Sequence, residues 1–221
     1  MFLILIILLP IKIYFDMRFI EPIICRSPND FMHIFAPPGT GKTTLAAKIV
    51  REGFLENKKV YSNVPIRGAL RVDLKDLGSH MYRDCKIIID EAGSELSNRS
   101  WHSNLSKSQI DFIKKHRHYN VDIYVFSQAY GDVDNKFREL TTKLLMLKKS
   151  KIPFYVYAMC IRKVMDLVNG QIVEFYEWNK AESFRFFTPP TWAWFNSYDI
   201  DETKPLPKHE YYTQIDCMNK I

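Results

Sequence analysis

Cysteine is thinly spread in this 221-residue chain: Cys25, Cys85, Cys160 and Cys217 stand far apart. None forms a CxxC pair, so the spacing of a zinc site or a disulfide framework is absent. The four read as buried or incidental thiols in a reducing compartment. An extreme of charge is also missing. The net charge of +6 is compatible with nucleic acid or an anionic membrane surface and selects neither. No internal repeat is present, which removes solenoid and propeller architectures. What remains is ordinary for a globular protein, 47% apolar and 25% charged, with length for one sizeable core and a small appendage.

Apolar runs long enough to span a bilayer are lacking too. A spanning helix needs about 20 apolar residues. The N-terminal run Phe2 to Leu9 is followed by Pro10 and interrupted by Lys12, and no segment after residue 150 is apolar enough. A secretory signal does not fit, because no positive region precedes the run and no small-residue cleavage site follows it. Lys12 lies near the end of the segment, where its stem would reach the headgroups, and a membrane helix tolerates proline. Residues 1–17 are therefore expected to be an apolar anchor, with residues 1–15 in the membrane. A docked strand or helix, or a start at Met17, is the alternative. Arg18 and Arg26 would place the following chain on the cytoplasmic side.

Further along, strands alternate with helices. "FMHIFA" (31–36), "KKVYSNV" (58–64), "CKIIIDE" (85–91), "VDIYVFSQ" (121–128) and "LLMLKK" (144–149) read as strands. Residues 42–54 carry Leu45, Ala46, Ile49 and Val50 at helical spacing. Residues 106–119 form a basic amphipathic helix with Ile110 and Ile113 on its apolar side, and 133–143 a short helix. Such alternation implies an α/β fold with a mostly parallel sheet covered by helices on both faces. Two β-rich runs around "VNG" (168–170) then predict an antiparallel pair. The expected organisation is an α/β domain over 31–150, a β-hairpin extension over 151–195, and an extended or disordered tail over 196–221.

The chemistry is concentrated in residues 36–43, "APPGTGKT". The P-loop pattern G-x-x-x-x-G-K-[ST] follows a strand and opens a helix. Only its first glycine is changed here, to Ala36, which serves if its φ is negative. The loop residues Pro38, Gly39, Thr40, Gly41, Lys42, Thr43 and Thr44 surround the expected phosphate position, Pro38 without an N–H of its own. The backbone N–H groups around Gly39 to Lys42 would form an anion nest at the start of a helix. Lys42 would reach the β- and γ-phosphates of ATP, and the Thr43 hydroxyl would bind Mg²⁺.

"IIIDE" adds a strand ending in two carboxylates. With its strand expected beside the P-loop strand, Asp90 would hold Mg²⁺ through water and Glu91 would deprotonate the attacking water. Gln128 closes the next buried strand and is placed to sense the γ-phosphate. Arg99, Arg117 and Arg138 are candidate arginine fingers. Arg117 leads them, because "KKHRHY" stands just before the strand of Gln128, at the edge expected to hold nucleotide. The same run also suits a DNA-facing patch or a solvated helix end. His116 and His118 are two apart on the expected helix and do not face one site, so a metal role is not expected of them.

Together "APPGTGKTTLAAKIV", "VYSNVPI", "IIIDEAG" and "HRHYNVDIYVFSQAYGDVD" resemble the zonula occludens toxin (Zot) family. It includes the gene I assembly proteins of filamentous phages, in the FtsK–HerA branch of P-loop ATPases. The resemblance spans about residues 31–150, and "SNVP", "DEA" and "RH…D…SQ" are its more specific part. It implies an ATPase at the cytoplasmic face of the bacterial inner membrane, exporting phage DNA as coat protein assembles on it. A homo-oligomeric ring, DNA, and coat or export proteins are the implied partners. The phage proteins carry a membrane span after the ATPase domain, whereas the apolar segment here precedes it. No residue pattern supports a toxin activity. A packaging or conjugation-type DNA translocase is the alternative within the fold. A membrane-associated ATP-binding switch or scaffold is the alternative of another class, which the intact Asp90–Glu91 pair disfavours.

Overall fold

The computed structural model describes Pro10 and residues 29–73, 76–90, 107–133, 135–168 and 171–195. The expected anchor (apart from Pro10), Glu91, Arg99 and the 196–221 tail lie outside the described residues. Among the described residues no helix is long and apolar enough to cross a membrane.

Alternation along buried strands decides which face each side chain enters. In β1 (Phe31–Phe35), Met32 and Ile34 enter one hydrophobic cluster and Phe31 the other. In β5 (Val121–Ser127), Tyr124 and Phe126 join the first cluster, while Val121, Ile123 and Val125 join the second. In β4 (Cys85–Ile89), Ile88 enters the first and Cys85, Ile87 and Ile89 the second. A helix seals each side. The first cluster is closed by α1 (Lys42–Leu55), through Leu45, Ala46, Ile49 and Val50. The second takes Phe112 and Ile113 of α2 (Lys107–Lys115) and Phe137 of α3 (Asn135–Leu140). Strands buried on both faces suit parallel pairing.

The sheet order is β3-β2-β4-β5-β1-β6-β7-β8. It adds β2 (Lys59–Ser62), the two-residue β3 (Leu70–Arg71), β6 (Lys143–Lys149), β7 (Tyr155–Val168) and β8 (Gln171–Phe187). The six strands from β3 to β6 pair in parallel. β7 is antiparallel to β6, and β8 to β7. This is the P-loop NTPase fold, extended at one edge by a β-hairpin. The hairpin's base joins the first cluster through Val156, Ala158, Cys160 and Phe186. Pairing with β6 ends at Ile161, and beyond it the hairpin is a two-stranded ribbon.

Two expectations about the elements are corrected. The strand ending at Asp90 is not beside the P-loop strand, because β5 lies between β1 and β4. The helix expected over 106–119 also stops early. It gives way to a 3₁₀ turn, His116–Tyr119, closed by Asn120 at φ 55. The buried His116 ring fixes that turn, with Nδ1 at 2.7 Å from Ile113 O and Nε2 at 3.2 Å from Asn29 O, while His118 is exposed. β3 had no periodic signal and is recruited by pairing with β2.

Toward the N-terminal side of the central strands runs a polar network. The Lys86 ammonium, 2% exposed, meets Glu56 at 2.9 Å. Lys58 reaches Asp122 at 3.8 Å, and Asp122 accepts the Asp30 N–H at 3.1 Å. Lys143 meets Asp30 at 2.9 Å. Buried charge is tolerated only when paired in this way.

Gly53 marks where α1 meets β2. A Cβ there would lie 2.3 Å from Val60 Cγ2 and 3.6 Å from the Lys86 stem. Replacing a helical glycine with alanine normally stabilises by about 1 kcal/mol. Here we expect Gly53→Ala to destabilise by about 1–3 kcal/mol through overpacking, read as a lower urea midpoint than wild type.

Candidate nucleotide site

The C-terminal ends of β1, β5 and β4 open on one edge of the sheet. β1 runs into the loop from Ala36 to Gly41, and α1 begins at Lys42. Ala36 is fully buried, its φ is not in the left-handed region, and its N–H donates to Ser127 O at 3.2 Å. Alanine therefore fills the first glycine position without strain. Gly39 at φ 69 and Gly41 at φ 111 do need glycine. Gly41 is doubly constrained, since a Cβ would lie 3.0 Å from Val156 Cγ2. The Thr40 hydroxyl donates to Pro37 O at 2.8 Å and braces the loop. Lys42 Nζ donates to Ala36 O at 2.8 Å, laying its charge over the loop carbonyls.

A cavity of about 410 Å³ occupies this edge, lined by Pro38, Gly39, Gly41, Lys42, Thr43, Thr44, Asp90, Gln128 and Phe195. It unites the P-loop with Asp90 and Gln128, as the sequence suggested, although Asp90 arrives from the strand beyond β5. Thr43 and Asp90 offer oxygen donors to one space, which fits a hard cation such as Mg²⁺ with phosphate oxygens and water completing its shell. Among the described residues no cluster of three or more His, Cys, Asp or Glu could hold a metal by itself.

Asp90 is 5% exposed and is fixed by Asn63, just past β2. The Asp90 N–H donates to Asn63 Oδ1 at 2.7 Å, and Asn63 Nδ2 donates to Asp90 O at 2.9 Å. The amide side chain thus pairs with Asp90 as a neighbouring peptide would. Sequence reasoning met Asn63 only inside "SNVP", where nothing local marks its partner.

Gln128 sits on a braced turn. The Ser127 hydroxyl donates to Ala129 O at 2.8 Å, and the Ala129 N–H donates to the Asp132 carboxylate at 2.6 Å. Ser127 Oγ is 2.8 Å from His33 Nε2. Because the hydroxyl proton points at Ala129 O, His33 is the donor through Nε2–H and its Nδ1 is bare. Burial first, and then the Arg138 charge, lowers the His33 pKa to about 4. The imidazole is neutral at pH 7.

The structure does not bring Arg117 to this site. It is exposed on the 3₁₀ turn that precedes β5, so the seven residues of that strand separate it from Gln128 by about 20 Å. Neighbours in sequence stand here at opposite edges of the sheet, which corrects the expected placement. Arg138 lies over the Tyr130 ring, 4.6 Å from its centroid, and does not line the cavity. Cys85 and Cys160 are buried, free thiols, and burial pushes them up to about 12 and about 11, so they are inert.

Residues 67–174 match the family model described as zonular occludens toxin (Zot). Over this segment, just under half of its length, the chain is similar to the Zot family. The Zot match takes in Asp90 and Gln128 and begins after the P-loop, which is carried by its own pattern. The N-terminal domain of zonular occludens toxin from Neisseria meningitidis is similar at 17% identity and TM-score 0.49, covering 71% of this chain and 97% of that one. The genome packaging NTPase B204 from Sulfolobus turreted icosahedral virus 2, in complex with ATP-gammaS, is similar at 11% identity and TM-score 0.45, with 69% and 97% covered. The comparison with curated proteins returned no match.

Two measurements check the supports of the site. Asn63→Ala removes both hydrogen bonds between Asn63 and the Asp90 backbone and should cost about 1–3 kcal/mol of stability, seen in urea unfolding. His33 has a folded pKa near 4, below its ordinary 6.5, so the unfolded chain binds the extra proton between those values. Its contribution to stability is complete above pH 6.5 and is lost as pH falls toward 4. The unfolding midpoint should drop across that window, and His33→Gln should flatten the drop.

Proposed function

We propose that this chain is an ATP-hydrolysing motor that works on DNA as a homo-oligomeric ring. The observation that carries the reading is the single cavity shared by the P-loop, Asp90 and Gln128. Phosphoryl transfer asks for positioning and charge neutralisation more than covalent chemistry. The backbone N–H groups of Gly39 to Thr44 cradle the phosphates, and Lys42 leaves Ala36 O to reach the β- and γ-phosphates. Thr43 and Asp90 would hold Mg²⁺, which supplies charge neutralisation on the phosphates. Glu91, next in the chain to Asp90, takes the proton of the attacking water, and Gln128 orients that water.

The Zot-family match supports a place in DNA export or virion morphogenesis, with coat or export proteins as partners. The apolar residues 1–15 support attachment at the cytoplasmic face of the inner membrane. Arg117 lies at the far end of β5 from its own chain's candidate site, so as an arginine finger it would serve a neighbouring subunit.

ATPase turnover of the full chain in detergent, with and without single- and double-stranded DNA, tests the reading. We expect Lys42→Ala to abolish turnover, and Glu91→Gln to bind ATP without hydrolysing it, so that binding and chemistry separate. Wild-type turnover by Lys42→Ala would refute the phosphate-site assignment. Equal loss of binding and turnover in Glu91→Gln would make that carboxylate structural.

A further inference from the structure

Phe195 lines the cavity although it is the last described residue, far along the chain from the P-loop. We propose that its ring is the platform on which the nucleobase stacks, and that this stacking holds the base with little discrimination among base types. The proposal rests on the nucleotide reading above and deepens it.

The segment leading to Phe195 is anchored at several points. The Thr188 N–H and hydroxyl both donate to Phe154 O, at 2.9 and 3.0 Å. A 3₁₀ turn, Pro189–Trp194, follows, and the Thr191 hydroxyl donates to Thr188 O at 2.7 Å. The Arg67 N–H donates to Trp194 O at 2.7 Å, immediately before Phe195. The turn packs on α1, the helix that the P-loop opens. Phe195 itself is extended, at φ −152 and ψ 159. Its half-buried side chain packs against the same hydrophobic cluster as Leu45 and Ala46. A ring braced from behind and bordering a cavity loses little freedom when a flat ligand lies on it.

The chemistry of the lining divides naturally. Lys42, Thr43, Thr44, Asp90 and Gln128 are the groups that phosphates, a cation and water require. Pro38 and Phe195 are the apolar side chains left over, and a nucleobase is the flat apolar part of the ligand. The cavity, about 410 Å³, is within the range of about 300–1,000 Å³ typical of small-ligand sites. Every base has a π-face, so stacking tolerates any base. The polar lining side chains are committed to the phosphate end, which leaves base edges unread.

Binding of MgATP, MgGTP, MgCTP and inorganic tripolyphosphate to the full chain in detergent tests this. Wild type should bind the three nucleotides within about tenfold of one another, as expected of a platform without edge readout. Phe195→Ala should weaken each nucleotide by about five- to a hundredfold, raise KM with kcat retained, and leave tripolyphosphate binding unchanged. Phe195→Trp should restore nucleotide affinity. Unchanged or tighter ATP binding by Phe195→Ala would overturn the proposal, the latter because the ring would then be a plug. A parallel loss of tripolyphosphate binding would make Phe195 a structural residue, and strong preference for one base would remove the stacking account. If wild type binds neither ATP nor tripolyphosphate, the phosphate-site reading itself falls and takes this one with it.

Discussion

The parallel ladder between β1 and β5 is what the rest of this structure depends on. It runs from Phe31–Ile123 to Phe35–Ser127, and the Ala36 N–H to Ser127 O bond carries it one residue further. Two parallel strands that end together deliver whatever follows them to the same place. Here that is the P-loop after one strand and Gln128 after the other. β4, next along the ladder, delivers Asp90. Moving β1 by one residue would expose Met32 and Ile34 to the wrong face, so the hydrophobic pattern that closes the core also sets the registry of the site.

The two edges of the sheet carry different electrostatics. On the P-loop side, backbone N–H groups and Lys42 converge on a cavity that the buried Asp90 carboxylate also lines. On the other side, Lys86, Lys58 and Lys143 are answered by Glu56, Asp122 and Asp30. Asp122 shows the cost of that arrangement: burial pushes its carboxyl up, and the Asp30 N–H and the Lys58 and Lys86 ammonium groups oppose the shift. Pairing there closes the base of the sheet, while the nucleotide edge keeps its polar groups for a ligand.

What was legible in the sequence was local. Gly39, Gly41, Lys42 and Thr43 are recognisable because the phosphate loop is a run of adjacent residues. Leu45, Ile49 and Val50 declare their helix face by spacing alone. Asp90 ends an apolar strand in plain view. The order of strands was not legible, because β4 and β5 have the same apolar character and only non-local pairing decides which meets β1. Arg117 misled for a related reason: it is eleven positions from Gln128 in number, and a strand turns that short separation into opposite edges. Asn63 and Phe195 act across long sequence distances through one hydrogen-bonded pair and one ring surface, and neither leaves a periodic trace.

Among the described residues, the β7–β8 ribbon beyond Ile161 has no strand on its other side, so both of its borders present backbone groups without a sheet neighbour there. Met165, Leu167, Phe175, Tyr176 and Trp178 are exposed on it. Apolar, unpaired β structure of this kind invites strand addition by other chains. The ribbon carries its own guards: Lys163 pairs with Glu174 at 2.7 Å, Arg162 with Glu182 at 2.6 Å, and the Lys180 ammonium lies 5.0 Å from the centre of the Trp178 ring. A chain docking alongside would have to strip water from these charges before it gained a single ladder bond. The ribbon is thereby protected against indiscriminate aggregation while its aromatic surface stays open.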